Sequence, residues 1–273
     1  MPGAGVSHKK TPLLLVGAGR MGGALLKGWL ARELGPVSIV ETNPSPALRK
    51  LRGVTLLKNI EDAPAKARAC VIALKPQILK TEAARLKSIA QSGALMVSIA
   101  AGSSIELMTK AWGRKARIVR AMPNTPGAVG EGISALYAPK NVSAAERKLA
   151  QSLLAALGET VWVKRETDID TVTAVSGSGP AYVFLLVEAL AAAAAAQGLP
   201  KDVAMKLARQ TVIGSGALLL SDPASAEELR RAVTSPKGTT EAALKVLMAK
   251  NGLAKLIGQA VSAARNRARE LSR

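Results

Sequence analysis

The chain has 273 residues, 48% of them hydrophobic, with a formal net charge of +19, one cysteine and one histidine. That length suits one large domain or two, and the apolar content is ample for a real core. A lone cysteine, Cys70, excludes an intrachain disulfide framework and points to a reducing, cytoplasmic setting, while a lone histidine, His8, argues against histidine-based acid–base chemistry.

The first twelve residues, MPGAGVSHKKTP, have no apolar signal-peptide core and read as a loose tail. Leu13–Val16 is a short apolar strand ending at Gly17, followed by a helix over Met21–Glu33. Val37–Glu41 is a second strand, Pro46–Leu51 a short helix and Val54–Leu57 a third strand. Ala69–Leu74 is a fourth, bounded by Lys75-Pro76, with a helix to about Ala90. Leu95–Ala100 is a fifth, and a helix runs from an N-cap at Ser104 to Trp112. Arg117–Met122 is a sixth strand, and Arg120–Pro126 (RAMPNTP) is proline-rich enough for a rigid loop at the cleft or domain seam. Gly132–Tyr137 and Thr160–Val163 flank a helix over Ala144–Leu157 and extend the sheet.

Such alternation predicts an α/β domain with a mostly parallel sheet covered on both faces. No strand pattern recurs after Lys164. The remainder reads as helices punctuated at Gly198–Pro200, Asp222–Pro223 and Ser235–Thr240, so a domain boundary falls near 165, between residues 1–165 and 166–273. In the second part, Pro180–Ala196 carries one charge, Glu188, and is apolar all round. A helix of that kind must be covered on every face. About 20 strongly apolar residues would suggest a membrane span, but this run is mostly alanine around a carboxylate. It predicts instead a helix buried in a small helical domain and shared with a second copy of the chain. Its lead-in, TVTAVSGSGP, has small residues that let backbone or ligand approach closely.

The basic balance lies almost wholly in the first part: residues 1–165 hold 25 Lys/Arg against 9 Asp/Glu, and 166–273 hold 13 against 10. A basic chain invites a nucleic-acid reading. Here the cations are scattered at helical spacing, and the six aromatic residues stand outside any basic stacking pattern. The excess is read as solvated surface, part of it steering an anionic cofactor or substrate.

Gly17-Ala18-Gly19-Arg20-Met21-Gly22 is a GxGxxG between a predicted strand and a predicted helix. Gly17 allows the tight turn, Gly19 lets backbone approach a pyrophosphate, and Gly22 permits close helix–strand packing, with the helix N-terminus facing the phosphates. This predicts a Rossmann-type dinucleotide site. At the end of the second strand stand Glu41 and Thr42. An acidic residue about 20 positions past the glycines favours NAD by bonding the ribose, and Glu41 stands 19 residues after Gly22. Thr42, Asn43, Arg49 and Lys50 favour a 2′-phosphate instead, so the two cofactors both stay open. Leu74-Lys75-Pro76 and Ser98–Gly102 (SIAAG) end the fourth and fifth strands, where ligands collect. Small residues in the second would let a nicotinamide lie flat. Ser235-Pro236-Lys237-Gly238-Thr239-Thr240 opens a helix over Glu241–Met248, and such a start is an anion site or a plain Ser/Thr cap.

In order, GAGRMGGAL, ALKP, SIAAG, RAMPNTP, VSGSGPAYVF, QGLP and SPKGTT resemble the pyrroline-5-carboxylate reductase family from Leu13 to Leu271. The resemblance implies an N-terminal Rossmann domain, a C-terminal all-helical dimerisation domain and a homodimer or higher oligomer. It implies reduction of the cyclic imine 1-pyrroline-5-carboxylate to L-proline with NADPH as cofactor, while this chain's own Glu41, able to bond the ribose, predicts good use of NADH as well. Gly17 to Gly22, Asn59, Lys75, Pro76 and Ala100 would line the cofactor, with Leu74 beside them. Ser235, Thr239 and Thr240 would hold the substrate carboxylate and ring nitrogen, with Thr173 also on the substrate side. Three departures stand out: Lys237 replaces a usual glycine, Arg230-Arg231-Ala232 replaces a basic–acidic–amide run, and Glu41 occupies a position where relatives carry small hydroxyl residues.

No catalytic histidine, nucleophilic cysteine or metal-ligand cluster is needed for hydride addition to C=N, and no metal is expected. The imine carbon must lie near the nicotinamide with its nitrogen hydrogen-bonded or protonated, and Thr240 is the candidate for that contact. A related two-domain reductase or dehydrogenase of another small carboxylate would place an acid–base lysine in the helical domain, and no matching motif stands there. The non-enzyme alternative is a nucleic-acid-binding protein on the same scaffold.

Overall fold

A computed structural model describes residues 11–64 and 66–271. His8 and most of the predicted tail lie outside the described residues. The chain forms two compact units: one runs to Gly177 and takes up the chain again from Arg265, the other spans Ser178–Ala264.

The first unit is built on eight strands: β1 Leu13–Val16, β2 Val37–Val40, β3 Val54–Leu57, β4 Ala69–Ile72, β5 Leu95–Ser98, β6 Arg117–Met122, β7 Gly132–Tyr137 and β8 Gly158–Trp162. Their order is β3-β2-β1-β4-β5-β6-β7-β8. Every neighbouring pair is parallel except β6 and β7. Strands β1, β2, β4 and β5 are buried along their whole length. Burial on both faces explains why they read as continuous apolar runs rather than alternating ones. The chain moves outward from β1 to β3 and then returns to the other side of β1. That reversal opens a crevice at the carboxyl ends of β1 and β4, the usual place for a ligand in such a sheet.

Helices of the first unit are α1 Arg20–Ala31, α2 Pro46–Arg49, α3 Pro76–Glu82, α4 Lys87–Gln91, α5 Ile105–Trp112, α6 Ala144–Leu154 and α7 Asp168–Val172. Each face of the sheet carries one buried tryptophan whose indole N–H is satisfied, as burial of that group demands. Trp29 Nε1 donates to the Leu153 carbonyl at 2.9 Å, and Trp112 Nε1 donates to the Ala83 carbonyl at 2.7 Å. The second bond falls in the 3-10 turn Ala83–Leu86, which breaks the single helix expected to reach Ala90 into α3 and α4. The expected N-cap at Ser104 is present, its Oγ accepting from the Leu107 N–H at 3.2 Å. The helix expected over Ala144–Leu157 ends in a 3-10 turn after Leu154, and β8 starts at Gly158, earlier than the expected Thr160. Gly158 takes φ +126°, and a Cβ there would collide with the Gly132 carbonyl oxygen. Only glycine can begin the strand in that way.

The thiol of Cys70 is fully buried on β4, and desolvation pushes it up to about 12. It stays protonated at neutral pH and is not a nucleophile. The predicted boundary near 165 follows the end of the last strand at Trp162, whereas the division of contacts falls after Gly177. The lead-in over Thr173–Gly177 is wound as a π-helical turn, a geometry often found beside functional sites.

The second unit consists of α8 Gly179–Ala196, α9 Lys201–Ser221, α10 Ala226–Ala232, α11 Thr239–Leu247 and most of α12 Leu253–Leu271. The run expected to be buried all round is not covered by its own chain. Ala191 is its one buried residue, and Phe184 and Leu185 are each 62% exposed. Helix α9 likewise leaves Leu207, Ile213 and Leu218 exposed.

Candidate functional site

The glycine loop sits between β1 and α1 at the sheet crevice. Gly17 takes φ +90°, and a Cβ there would lie 2.9 Å from the Ala73 carbonyl oxygen of the β4 end. A Cβ on Gly22 would collide with the Gly17 carbonyl oxygen and stand 3.1 Å from Ala73 Cβ, so this glycine lets α1 close against the strands. Gly19 faces open space instead. Two glycines are therefore required by packing, and the third leaves its backbone bare toward the crevice, as a bound pyrophosphate would need.

A cavity of about 450 Å³ opens beside this loop, lined by Gly17, Gly19, Glu41, Thr42, Asn59 and Lys75 among others. Leu74 also lines it. Ala18, Arg20, Met21 and Gly22 belong to the loop and the first turn of α1, while Pro76 opens α3 next to Lys75. Ala100 is buried just past the end of β5, with β4 between it and β1, and does not line this cavity. Lys58, absent from the residues expected at the cofactor, is exposed and borders the same cavity at the end of β3. Its signal was a basic residue directly before Asn59. Arg85, also on the rim, is engaged by Glu61 at 2.7 Å and by Glu82. The Arg85 guanidinium holds the Glu61 carboxyl down at about 2.

Glu41 is fixed rather than free. Its Oε2 accepts from the Ala18 N–H at 2.8 Å and its Oε1 accepts from the Asn43 N–H at 3.0 Å. The carboxylate thus occupies an amide of the glycine loop and brings a negative charge to the crevice.

A second constellation, invisible in the sequence, lies on the same edge. Arg120 is in β6 rather than in a loop, and it is 4% exposed. Its Nη1 meets Glu166 Oε1 at 3.1 Å and its Nη2 meets Asp170 Oδ1 at 3.5 Å. The irregular part of RAMPNTP begins at Pro123, where Asn124 Oδ1 accepts from the Ile133 N–H at 2.9 Å. Thr173 is in this unit too, with its hydroxyl donating to the Ile169 carbonyl at 2.8 Å.

Ser235, Thr239 and Thr240 lie in the second unit. Helix α11 starts at Thr239, before the expected Glu241, with Gly238 as N-cap. The Gly238 N–H donates to the Ser235 carbonyl at 3.0 Å, closing the loop. No side chain caps this helix, so the plain Ser/Thr cap is not what the hydroxyls do here. The first-turn amides of α11 remain available to an anion. Glu241 is turned onto the Lys237 N–H and also lies 3.3 Å from Lys245. Lys237 takes φ +60°, the left-handed region that glycine adopts without strain. Beside the loop a cavity of about 420 Å³ is lined by Arg230, Arg231, Thr234, Leu244 and Lys245. Arg230 and Arg231 share Glu227, at 3.7 and 2.7 Å.

Residues 166–271 match the family model described as pyrroline-5-carboxylate reductase dimerisation, and residues 13–102 match NADP oxidoreductase coenzyme F420-dependent. The chain is 40% identical over 264 residues to a pyrroline-5-carboxylate reductase of Pseudomonas aeruginosa, covering 95% of this chain and 96% of that one. A pyrroline-5-carboxylate reductase structure from Coxiella burnetii superimposes with a TM-score of 0.89 at 37% identity, covering 96% and 99% of the two chains. A Plasmodium falciparum pyrroline carboxylate reductase with NADP bound gives 0.82 at 28% identity, covering 97% and 99%.

Proposed function

The chain belongs to the pyrroline-5-carboxylate reductase family, and from that premise we propose which of its residues carry the reaction. It is an NAD(P)H-dependent oxidoreductase that reduces the C=N bond of 1-pyrroline-5-carboxylate to give L-proline, and it works as a homo-oligomer. The observation that carries the cofactor reading is the glycine loop at the β1/β4 crevice, with Gly19 bare toward the cavity. Gly17 to Gly22, Glu41, Thr42, Asn59, Leu74, Lys75 and Pro76 hold the dinucleotide, and Ala100 and its loop receive the nicotinamide end. When bound, the nicotinamide supplies the hydride. Ser235 and the first-turn amides of Thr239 and Thr240 hold the substrate carboxylate, Thr173 borders the substrate, and the Thr240 hydroxyl meets the imine nitrogen as it gains a proton.

Losing a ground-state anchor mainly raises KM, whereas losing a contact that strengthens in the transition state lowers kcat. Ser235→Ala is therefore expected to raise KM for the imine, and Thr240→Ala to cost about 10-fold or more in kcat, about 1.4 kcal/mol. Because no side chain caps α11, Thr240→Ala should leave the melting temperature where it is. A variant with full turnover would remove Thr240 from the chemistry.

NADPH is the working cofactor, supported by the NADP-bound relative, and NADH is used as well because Glu41 stands where a ribose hydroxyl would be bonded. Glu41 and Lys58 set the balance, the first repelling and the second attracting a 2′-phosphate. Glu41→Ser removes the charge and frees the Ala18 N–H. The ratio of kcat/KM for NADPH over NADH should rise by about 10-fold. An unchanged ratio would mean that Glu41 stays on the loop amides and never meets the ribose.

The stretch Asp168–Ala196 is long and apolar enough to cross a membrane, but it coincides with the dimerisation match, and we read it as the core of the dimer. Neither a membrane nor a nucleic acid takes part in the reaction. A single cysteine, kept as a buried thiol, supports a reducing cytoplasmic setting.

A further inference from the structure

One carboxylate oxygen behind the loop that follows β5 serves two donors. Glu166 Oε1 accepts from the N–H of Ile105, the first residue of α5, at 2.8 Å, and from Arg120 Nη1 at 3.1 Å. Arg120 lies in sheet register beside Ser98, the last residue of β5. The connection from Ser98 to Ile105 is thereby tied at both ends. Ser98 Oγ accepts from the Ala100 N–H at 3.3 Å where the loop leaves the strand. At its middle Gly102 takes φ +67°, and a Cβ there would stand 2.8 Å from the Leu271 carbonyl oxygen at the end of α12.

Helix α5 does not need Glu166 in order to start. Ser104 already caps the Leu107 N–H locally. Glu166 arrives from 61 residues away in the chain and brings a charge shared with a buried guanidinium. We propose that Glu166 is a positioning residue for hydride transfer, its carboxylate holding the Ile99–Ser104 loop in place through the Ile105 N–H with Arg120 fixing the carboxylate in turn. The inference rests on the reading that this loop receives the nicotinamide. Reacting atoms must sit about 3–3.5 Å apart, and a displacement of about 1 Å can cost about 100-fold in rate. Cofactor affinity, by contrast, is supplied largely at the glycine loop and the Glu41–Asn59 cavity. Loosening this loop therefore slows the transfer without releasing the cofactor.

Three measurements on the intact oligomer test it: kcat with the cyclic imine, NADPH Kd by cofactor fluorescence, and the kinetic isotope effect with NADPH deuterated at the transferred position. Glu166→Ala is expected to lose about 10- to 100-fold in kcat, keep Kd within about 2-fold and show a larger isotope effect. In Glu166→Gln the amide oxygen still accepts from Ile105, so kcat should return to within about 3-fold of the parent enzyme, with an isotope effect between the two. Full turnover in the alanine variant, a kcat loss with an unchanged isotope effect, or a Kd that rises in step with the loss would each overturn the proposal. If the alanine variant does not fold, the glutamine variant decides alone: a raised isotope effect supports the proposal and an unchanged one overturns it. Ala101→Leu probes the underlying reading separately. Full turnover there would show that the loop does not receive the nicotinamide. Loss of turnover there, together with a fully active Glu166→Ala, would sink only the positioning role.

Discussion

Replacing Arg120 by methionine is expected to lower stability by about 3–5 kcal/mol, because it removes the buried guanidinium that the Glu166 and Asp170 carboxylates share. Arg120 is 4% exposed, and the Asp170 carboxylate it meets at 3.5 Å is nearly as buried. Methionine fills much of the same volume, so the loss comes from the missing charge rather than from a cavity. Urea unfolding followed by circular dichroism would read it as a lower midpoint at an unchanged slope. The companion test is the double variant Arg120→Met with Asp170→Leu. With both members of the Arg120–Asp170 contact gone, the two changes are coupled, and the double variant should be more stable than the sum of the single changes predicts. A cost below about 1 kcal/mol for Arg120→Met would mean that the cluster behaves as a solvated surface pair.

The second large effect is expected at α8. Phe184, 62% exposed in one chain, borders a cavity of about 350 Å³ between α8 and α9 with Val183, Val187, Met205 and Ile213. The family match over this region is to dimerisation, and we take this apolar groove as the face that the second copy covers. Burying a phenylalanine contributes about 2 kcal/mol, and a two-fold interface presents the residue twice. Phe184→Asp should therefore weaken the dimer by about 4 kcal/mol, about 1,000-fold in Kd, before any cost of burying the new charge. Sedimentation at micromolar concentration should show monomers, and turnover should be lost with the dimer. A dimer of unchanged affinity would move the interface off this groove, and a fully active monomer would separate assembly from catalysis.

Much of the fold could be read from short-range pattern. The bounds of β1, β3, β6 and β7 agree with the apolar runs at Leu13–Val16, Val54–Leu57, Arg117–Met122 and Gly132–Tyr137. The glycine loop was equally legible, since each of its glycines answers a local demand: the turn at Gly17, the bare backbone at Gly19, the close packing at Gly22. Helix ends were less so. The single helix expected up to Ala90 is broken where Trp112, far along the chain, takes the Ala83 carbonyl, and no local pattern signals that competition. Helix α11 starts early because Gly238, not a hydroxyl side chain, serves as its N-cap.

The parallel sheet, its nucleotide-binding turn and the helical second half are written in local pattern, because hydrophobic period and turn chemistry act over a few residues. Tertiary structure decided where the charges go. Glu41 reaches Ala18 across 23 positions, Arg120 reaches Glu166 across 46, and Glu166 reaches Ile105 across 61. As sequence positions these residues look like ordinary surface charges. Their pairing follows from which strand ends the sheet brings side by side, and buried charge is tolerated only where that geometry supplies a partner. The apolar face of α8 is the opposite case: its composition announced that it must be covered, but one chain does not have the surface to cover it.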